Sequence, residues 1–156
     1  MKIMFICTGN TCRSAMADGL AKKIIKEKNL NIEVYSAGIF AQTGEHASYN
    51  SIAIMKEYDV DIVLHKATSV DESNIKEMDL ILCATKNHKA ELQARYNDLK
   101  DKIVTMKEYA GIDNDGTDMD IKDPWGYNLN TFRVCAAEIS ICVEKIIEKI
   151  SQKGWK

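Results

Sequence analysis

No run of about 18 or more apolar residues occurs in the chain, which argues against a membrane-spanning helix. The first apolar stretch begins at Lys2 and ends by Ile6, too early and too short for a secretory signal, so no leader is expected. No C-x2-C pair is present, which argues against a structural zinc site, and no metal or other cofactor is expected. The nucleotide-binding pattern G-x-x-x-x-G-K-[ST] is also missing. Charge of neither sign dominates: the net charge is −2, so no nucleic-acid partner is implied. Linkers, repeats and low-complexity segments are lacking, and 156 residues suit one domain, 1–156, with a single sizeable core. The five cysteines, at 7, 12, 83, 135 and 142, are an odd number in a chain too large to need staples. Reduced thiols, a cytoplasmic location and a monomer are the expectations.

What is present centres on residues 7–14, Cys7-Thr8-Gly9-Asn10-Thr11-Cys12-Arg13-Ser14. The preceding run, Lys2 to Ile6, has the composition of a strand buried on both faces. The following run places Ala15, Met16, Ala17, Leu20, Ala21, Ile24 and Ile25 at helical spacing, with Ser14 as a candidate cap. A loop that turns from a strand into a helix points backbone N–H groups and the positive end of the helix dipole at one spot, and so favours an oxyanion. Gly9 and Asn10 tolerate the positive φ such a loop needs. Arg13 adds a planar, permanently charged fork that matches two oxygens of a phosphate. In that field the Cys7 thiol is expected as a thiolate, a nucleophile aimed into an anion cradle, with the Ser14 hydroxyl near enough to support it.

Alternating patterns extend the reading. Strands are expected at residues 31–38, 78–84 and 103–106, and helices at 48–58, 86–96 and 131–150, with a short helix at 71–77. The alternation predicts an α/β single-domain, flavodoxin-like sandwich with a four-stranded parallel sheet and helices on both faces. Ser36, at the end of the second strand, is either a brace for the loop or an ordinary turn residue. His46 and His88 have no partner by spacing and read as surface or helix-start residues. Residues 107–128 lose all periodicity, and long loops in compact domains are often functional. Asp113-Asn114-Asp115-Gly116 lacks the sixth-position glycine and twelfth-position glutamate of a calcium loop. Asp123 stands apart because Pro124 stiffens the chain after it and Trp125 offers an apolar wall that would favour its protonated form.

Cys7 to Ser14, read as C-x5-R-S after a first strand, together with Asp123-Pro124-Trp125, resembles the low-molecular-weight protein phosphatases. The resemblance covers essentially the whole chain. It implies a phosphorylated protein substrate, Cys7 as nucleophile, a cradle of Thr8, Gly9, Asn10, Thr11, Cys12, Arg13 and Ser14, and Asp123 as general acid. It further implies that Ser36 orients the loop asparagine and that His65 supports the loop rather than doing chemistry. Ala15 departs from the family's usual proline, which leaves the loop–helix junction less rigid. Thr11, where tyrosine-specific members carry an aliphatic residue, resembles the protein-arginine phosphatase branch and favours phosphoarginine. Trp125, able to stack on a ring, keeps phosphotyrosine as the alternative. Arsenate reductases built on such a loop relay oxidation through two further cysteines. Cys83 lies near one of those places, but Lys89 stands at the other. Cys12 is either a small buried residue or a disulfide partner that shields Cys7 from peroxide.

Overall fold

In the computed structural model, which describes residues 1–112 and 118–153, four parallel strands lie in the order β2-β1-β3-β4. They are β1 (Lys2–Cys7), β2 (Glu33–Gly38), β3 (Leu80–Cys83) and β4 (Ile103–Thr105). β1 is central because its residues are apolar on both pleats. Ile3 and Phe5 enter the cluster under α1 (Arg13–Glu27), α2 (Tyr49–Glu57) and α5 (Leu129–Gln152). Met4 and Ile6 enter the opposite cluster, which Leu92 of α3 (Lys86–Arg95) and Leu99 cover. All four are at most 1% exposed, and each such side chain contributes on the order of 2 kcal/mol.

The register carries the strand ends to one level: Cys7 pairs with Gly38, and Ile6 pairs with Cys83 on the other side. β1 has β2 on one side and β3 on the other, so its carboxyl end is the switch point of the sheet, where ligands of such folds bind. α5 carries the broadest apolar stripe, with Phe132, Cys135, Ile139, Cys142, Ile146 and Ile150 all buried. It packs on α1, α2 and the short helix α4 (Met106–Ala110).

Several local expectations change. α1 begins at Arg13, one residue before Ser14, and the capping position, Cys12, makes no side-chain cap bond. The Ser14 hydroxyl is unable to cap because it turns back toward Cys7. The expected short helix at 71–77 is two 3-10 turns, Val70–Glu72 and Ile75–Glu77, and a third 3-10 segment, Asn97–Lys102, leads into β4. The long loop starts later than its lost periodicity suggested. Thr105 and Glu108 form a reciprocal capping box that opens α4 (Met106–Ala110), and Gly111, at φ 74°, ends it. Five residues are too few to show a helical period. α5 starts two residues earlier than its apolar pattern, where Asn128 accepts from Thr131 N. No helix among the described residues is long and apolar enough to cross a membrane.

Candidate active site

The loop after β1 is tied down through its carbonyls. Cys7 O accepts from Ile39 N at 3.0 Å, Thr8 O from Phe40 N at 2.9 Å and Thr11 O from Ser48 N at 3.0 Å. With acceptors taken up by the surrounding chain, the loop is left with amide N–H groups for an anion at the start of α1. The positive φ falls on Asn10, at 57°, while Gly9 does not need it. Gly38 makes room: a Cβ there would lie 2.6 Å from Thr8 O and 2.9 Å from Asn10 N.

Asn10 is fully buried and organises the nucleophile. Its Oδ1 accepts from Thr68 N at 2.9 Å, which fixes the amide so that Nδ2 donates to Ser14 Oγ at 2.7 Å. The serine hydrogen is then free for Cys7 Sγ, 2.9 Å away, and Asn10 N donates to the same sulfur at 3.3 Å. Two hydrogen-bond donors thus converge on one sulfur, which fixes its position at the head of the loop. His65 Nε2 lies 2.7 Å from Asn10 O, and a carbonyl only accepts, so this nitrogen carries the proton. Ser36 takes no part. It pairs with Phe5, two residues below Cys7, and donates to Asp18 Oδ2 at 2.9 Å.

Arg13 is 4% exposed, with Nη1 on Ile121 O at 2.8 Å and Nη2 at 3.5 Å from Thr8 Oγ1 and 3.6 Å from Asp123 Oδ2. Its buried Nε has no protein partner among the described residues, as suits a group reserved for an oxyanion. Cys7, Thr11, Arg13, Asp123 and Trp125 all line one cavity of about 290 Å³. Phe40, Gln42 and Glu45 complete its wall. These three lie in the polar connection after β2, where sequence patterns offered no signal.

Asp123 is not sealed by its aromatic neighbour. Its side chain is 52% exposed and Trp125 is 71% exposed, so the apolar wall expected of Trp125 is absent, and the Arg13 guanidinium faces the carboxylate instead. The turn is local: Asp123 Oδ1 accepts from Trp125 N at 3.1 Å, and Gly126 at φ 83° swings the chain outward. The stretch before it is anchored. Ile121 N donates to Ala84 O at 2.8 Å, Lys86 N to Asp120 Oδ1 at 2.7 Å, and the buried Lys107 Nζ to Asp118 O and Asp120 O. The calcium-loop test segment, Asp113-Asn114-Asp115-Gly116, lies outside the described residues. Among the described residues, no cluster of three or more His, Cys, Asp and Glu could hold a metal ion.

Two further side chains differ from their sequence reading. His88 is not a surface histidine: it is 8% exposed, and its Nε2 lies 2.9 Å from Thr8 Oγ1. Only tertiary contact reveals this, because 80 residues separate the pair. His46 is exposed. Cys83 is wholly buried between β1 and β4, and burial pushes its thiol far up. Cys12 is buried beside Ser48, with Sγ to Oγ at 3.4 Å, and burial likewise raises its thiol.

A cysteine in an amide cradle, an arginine fork and a carboxylate from a second loop bring together groups suited to a phosphoryl oxyanion. Residues 2–155 match the family described as "Low molecular weight phosphotyrosine protein phosphatase", and the chain belongs to it. A protein-arginine-phosphatase of Geobacillus stearothermophilus is 34% identical over 150 residues, covering 96% of this chain and 95% of that one. A solved low molecular weight protein tyrosine phosphatase from T. tengcongensis is 39% identical with a TM-score of 0.88, covering 96% and 99%. The solved YwlE arginine phosphatase, in a mutant with a phosphorylated active-site serine, is 30% identical with a TM-score of 0.89, covering 97% and 96%. Arsenate reductase from Staphylococcus aureus also belongs to this circle of similarity, at 34% over 145 residues, covering 92% of this chain and 93% of that one.

Proposed function

We propose that this protein hydrolyses phosphoarginine on proteins through a phosphocysteine intermediate. The Cys7 thiolate attacks phosphorus in line with the bond to the guanidino nitrogen. Loop amides and Arg13 hold the charge that spreads over the equatorial oxygens. As the P–N bond breaks, Asp123 gives its proton to the leaving nitrogen. In the second step Asp123 takes a proton from water, which attacks the phosphocysteine. The S–P bond breaks, phosphate leaves and the sulfur returns to a thiolate supported by Ser14.

The observation that carries the substrate is Thr11. It is 9% exposed and shares the cavity of Cys7, so its hydroxyl can accept from the substrate guanidinium. Glu45 on the same wall supports the reading: its carboxylate makes no ion pair or hydrogen bond among the described residues and suits a cationic neighbour of the phosphoryl group. A phosphotyrosine reading is favoured by a different observation. Phe40, 74% exposed, and Trp125 both border the cavity and offer ring faces. Arsenate reduction through a thiol relay is disfavoured by the burial of Cys83 and by Lys89 six residues on. The reducing cytoplasm and a monomeric state fit the five free cysteines and the mixed surface charge.

The test is kcat/KM on matched peptides carrying phosphoarginine or phosphotyrosine, repeated with Thr11→Val. Preference for phosphoarginine that falls by about tenfold or more in Thr11→Val supports the reading, a loss of the size one charge-assisted hydrogen bond commands. Preference for phosphotyrosine in both proteins overturns it in favour of the aromatic walls.

A further inference from the structure

His88 is a buried imidazole that the reaction scheme does not use. It sits at the start of α3, where Thr85 caps the helix by accepting from His88 N at 3.1 Å. Its ring reaches Thr8 across the sheet end, 2.9 Å from Nε2 to Oγ1. Thr8 Oγ1 is also 3.5 Å from Arg13 Nη2. A guanidinium only donates, so Thr8 accepts from Arg13 with one lone pair, and its hydrogen and second lone pair leave the bond to the imidazole open in either direction. The other ring nitrogen, Nδ1, is buried and unpartnered among the described residues, so the ring's polar side-chain contact there is the one from Nε2 to Thr8.

The ring is kept neutral. Burial, with the Arg13 charge adding to it, lowers its pKa to about 4 against the opposing pull of Asp120 and Asp123. A neutral ring suits this place, since an imidazolium would repel the guanidinium. Thr8 lies on the wall between two cavities, the catalytic one and a second of about 410 Å³ that His88, Asn87 and Glu91 line.

We propose that His88 is a positioning residue for Arg13: by bonding the Thr8 hydroxyl through Nε2, it keeps a Thr8 lone pair turned toward Nη2 and holds the guanidinium fork open for phosphate. The inference rests on the reading of residues 7–14 as a phosphate cradle. Arg13 Nη2 has two possible neighbours, Thr8 at 3.5 Å and Asp123 at 3.6 Å. When the Thr8 hydroxyl loses its bond to His88 and rotates freely, the guanidinium moves toward the carboxylate. Phosphate then loses a partner.

The experiment compares His88→Phe, His88→Gln, Thr8→Val and Thr8→Val/His88→Phe. An aryl phosphate is the substrate, and calorimetric binding of inorganic phosphate is a separate readout. His88→Phe removes the ring nitrogens, whereas the Gln amide can stand in for Nε2 as donor or acceptor. The expected result for His88→Phe is a loss of about tenfold in kcat and in phosphate affinity, as for one hydrogen bond to a charged group. His88→Gln recovers both to within about twofold, Thr8→Val matches His88→Phe, and the double variant is no worse than either single one. Near-wild-type kcat and phosphate affinity in a folded His88→Phe protein overturns the proposal. So do equal losses in His88→Phe and His88→Gln, or multiplicative losses in the double variant. If His88→Phe fails to fold, Thr8→Val against His88→Gln decides by the same criteria. A wild-type protein that binds phosphate but cleaves no phosphorylated substrate defeats the phosphatase reading alone, and the binding series still judges His88.

Discussion

In the loop of residues 7–14, Asn10, Arg13 and Ser14 are at most 4% exposed and the polar groups of Asn10 and Ser14 converge on the Cys7 sulfur, whereas on the facing loop Asp123 and Trp125 stand 52% and 71% open. The first loop is rigid because each of its members is fixed by another part of the chain: Thr68, His65, Ser48, Ile39 and Phe40 all bond to it. The second is anchored behind its working residue, at Asp118 to Ile121, and then turns outward on Asp123 and Gly126. A nucleophile and the oxyanion donors must be fixed before the reaction, since electrostatic stabilisation depends on dipoles that do not reorganise. A general acid has to reach different leaving groups, so its freedom is compatible with its task.

The contrast is broken most severely at the nucleophile. Cys7→Ser should lose on the order of 10⁴-fold in kcat whatever the leaving group, measured by phosphate release. Asp123→Asn sharpens it, because loss of a general acid should cost roughly 10²–10³-fold with a poor leaving group and far less with p-nitrophenol. Equal losses on both substrates would place Asp123 outside proton transfer. Lys107→Met tests the anchor behind the acid. Removing the Nζ that bonds Asp118 O, Asp120 O and Glu138 should destabilise by about 1–2 kcal/mol in denaturant titrations. It should also lower kcat about threefold with a poor leaving group, as misplacement of a catalytic side chain does.

A pH titration probes the rigid side. His88 binds its proton near 6.5 in the unfolded chain but only near 4 in the folded protein. Between those values the unfolded state holds more protons, so stability falls as pH falls through that window and levels off below it. The contribution is on the order of 2 kcal/mol, and a smaller drop in Tm from pH 7 to 4.5 in His88→Gln than in wild type would identify its source. The smallest expected effect concerns Cys12. Its buried, protonated thiol beside Ser48 suits a reserve partner for an oxidised Cys7, and recovery of peroxide-treated activity by reductant should weaken in Cys12→Ala. Unchanged recovery makes Cys12 a packing residue.

Much of the rigid loop was legible in the sequence because its members are contiguous. Eight residues carry the cysteine, the φ-tolerant asparagine, the arginine and the serine, and the flanking strand and helix patterns are strong. The parallel sheet was legible too, since β1 and β3 are apolar without interruption. What supports the loop was not. Thr68 and His88 act from 58 and 80 residues away, and no spacing rule links them to Asn10 or Thr8. Ser36 was close to the right place, but strand register puts it two residues below the loop, a displacement invisible until the pairing of β1 with β2 is known. The open wall of the acid loop was missed for a physical reason: an aromatic next in sequence need not lie over its neighbour, and the turn at Gly126 carries Trp125 toward solvent.

Gly38 gives the sheet a metrological role. Parallel strands keep a spacing of about 4.8 Å, and with no side chain at the end of β2 that spacing is transmitted directly to the floor of the cradle. One methyl group at position 38 would meet Thr8 O and Asn10 N, lift the loop toward solvent and tilt the sulfur away from the axis of in-line attack. The depth at which phosphorus sits is thus gauged by a hydrogen atom on a neighbouring strand, and the accuracy of the chemistry is inherited from the most regular part of the molecule.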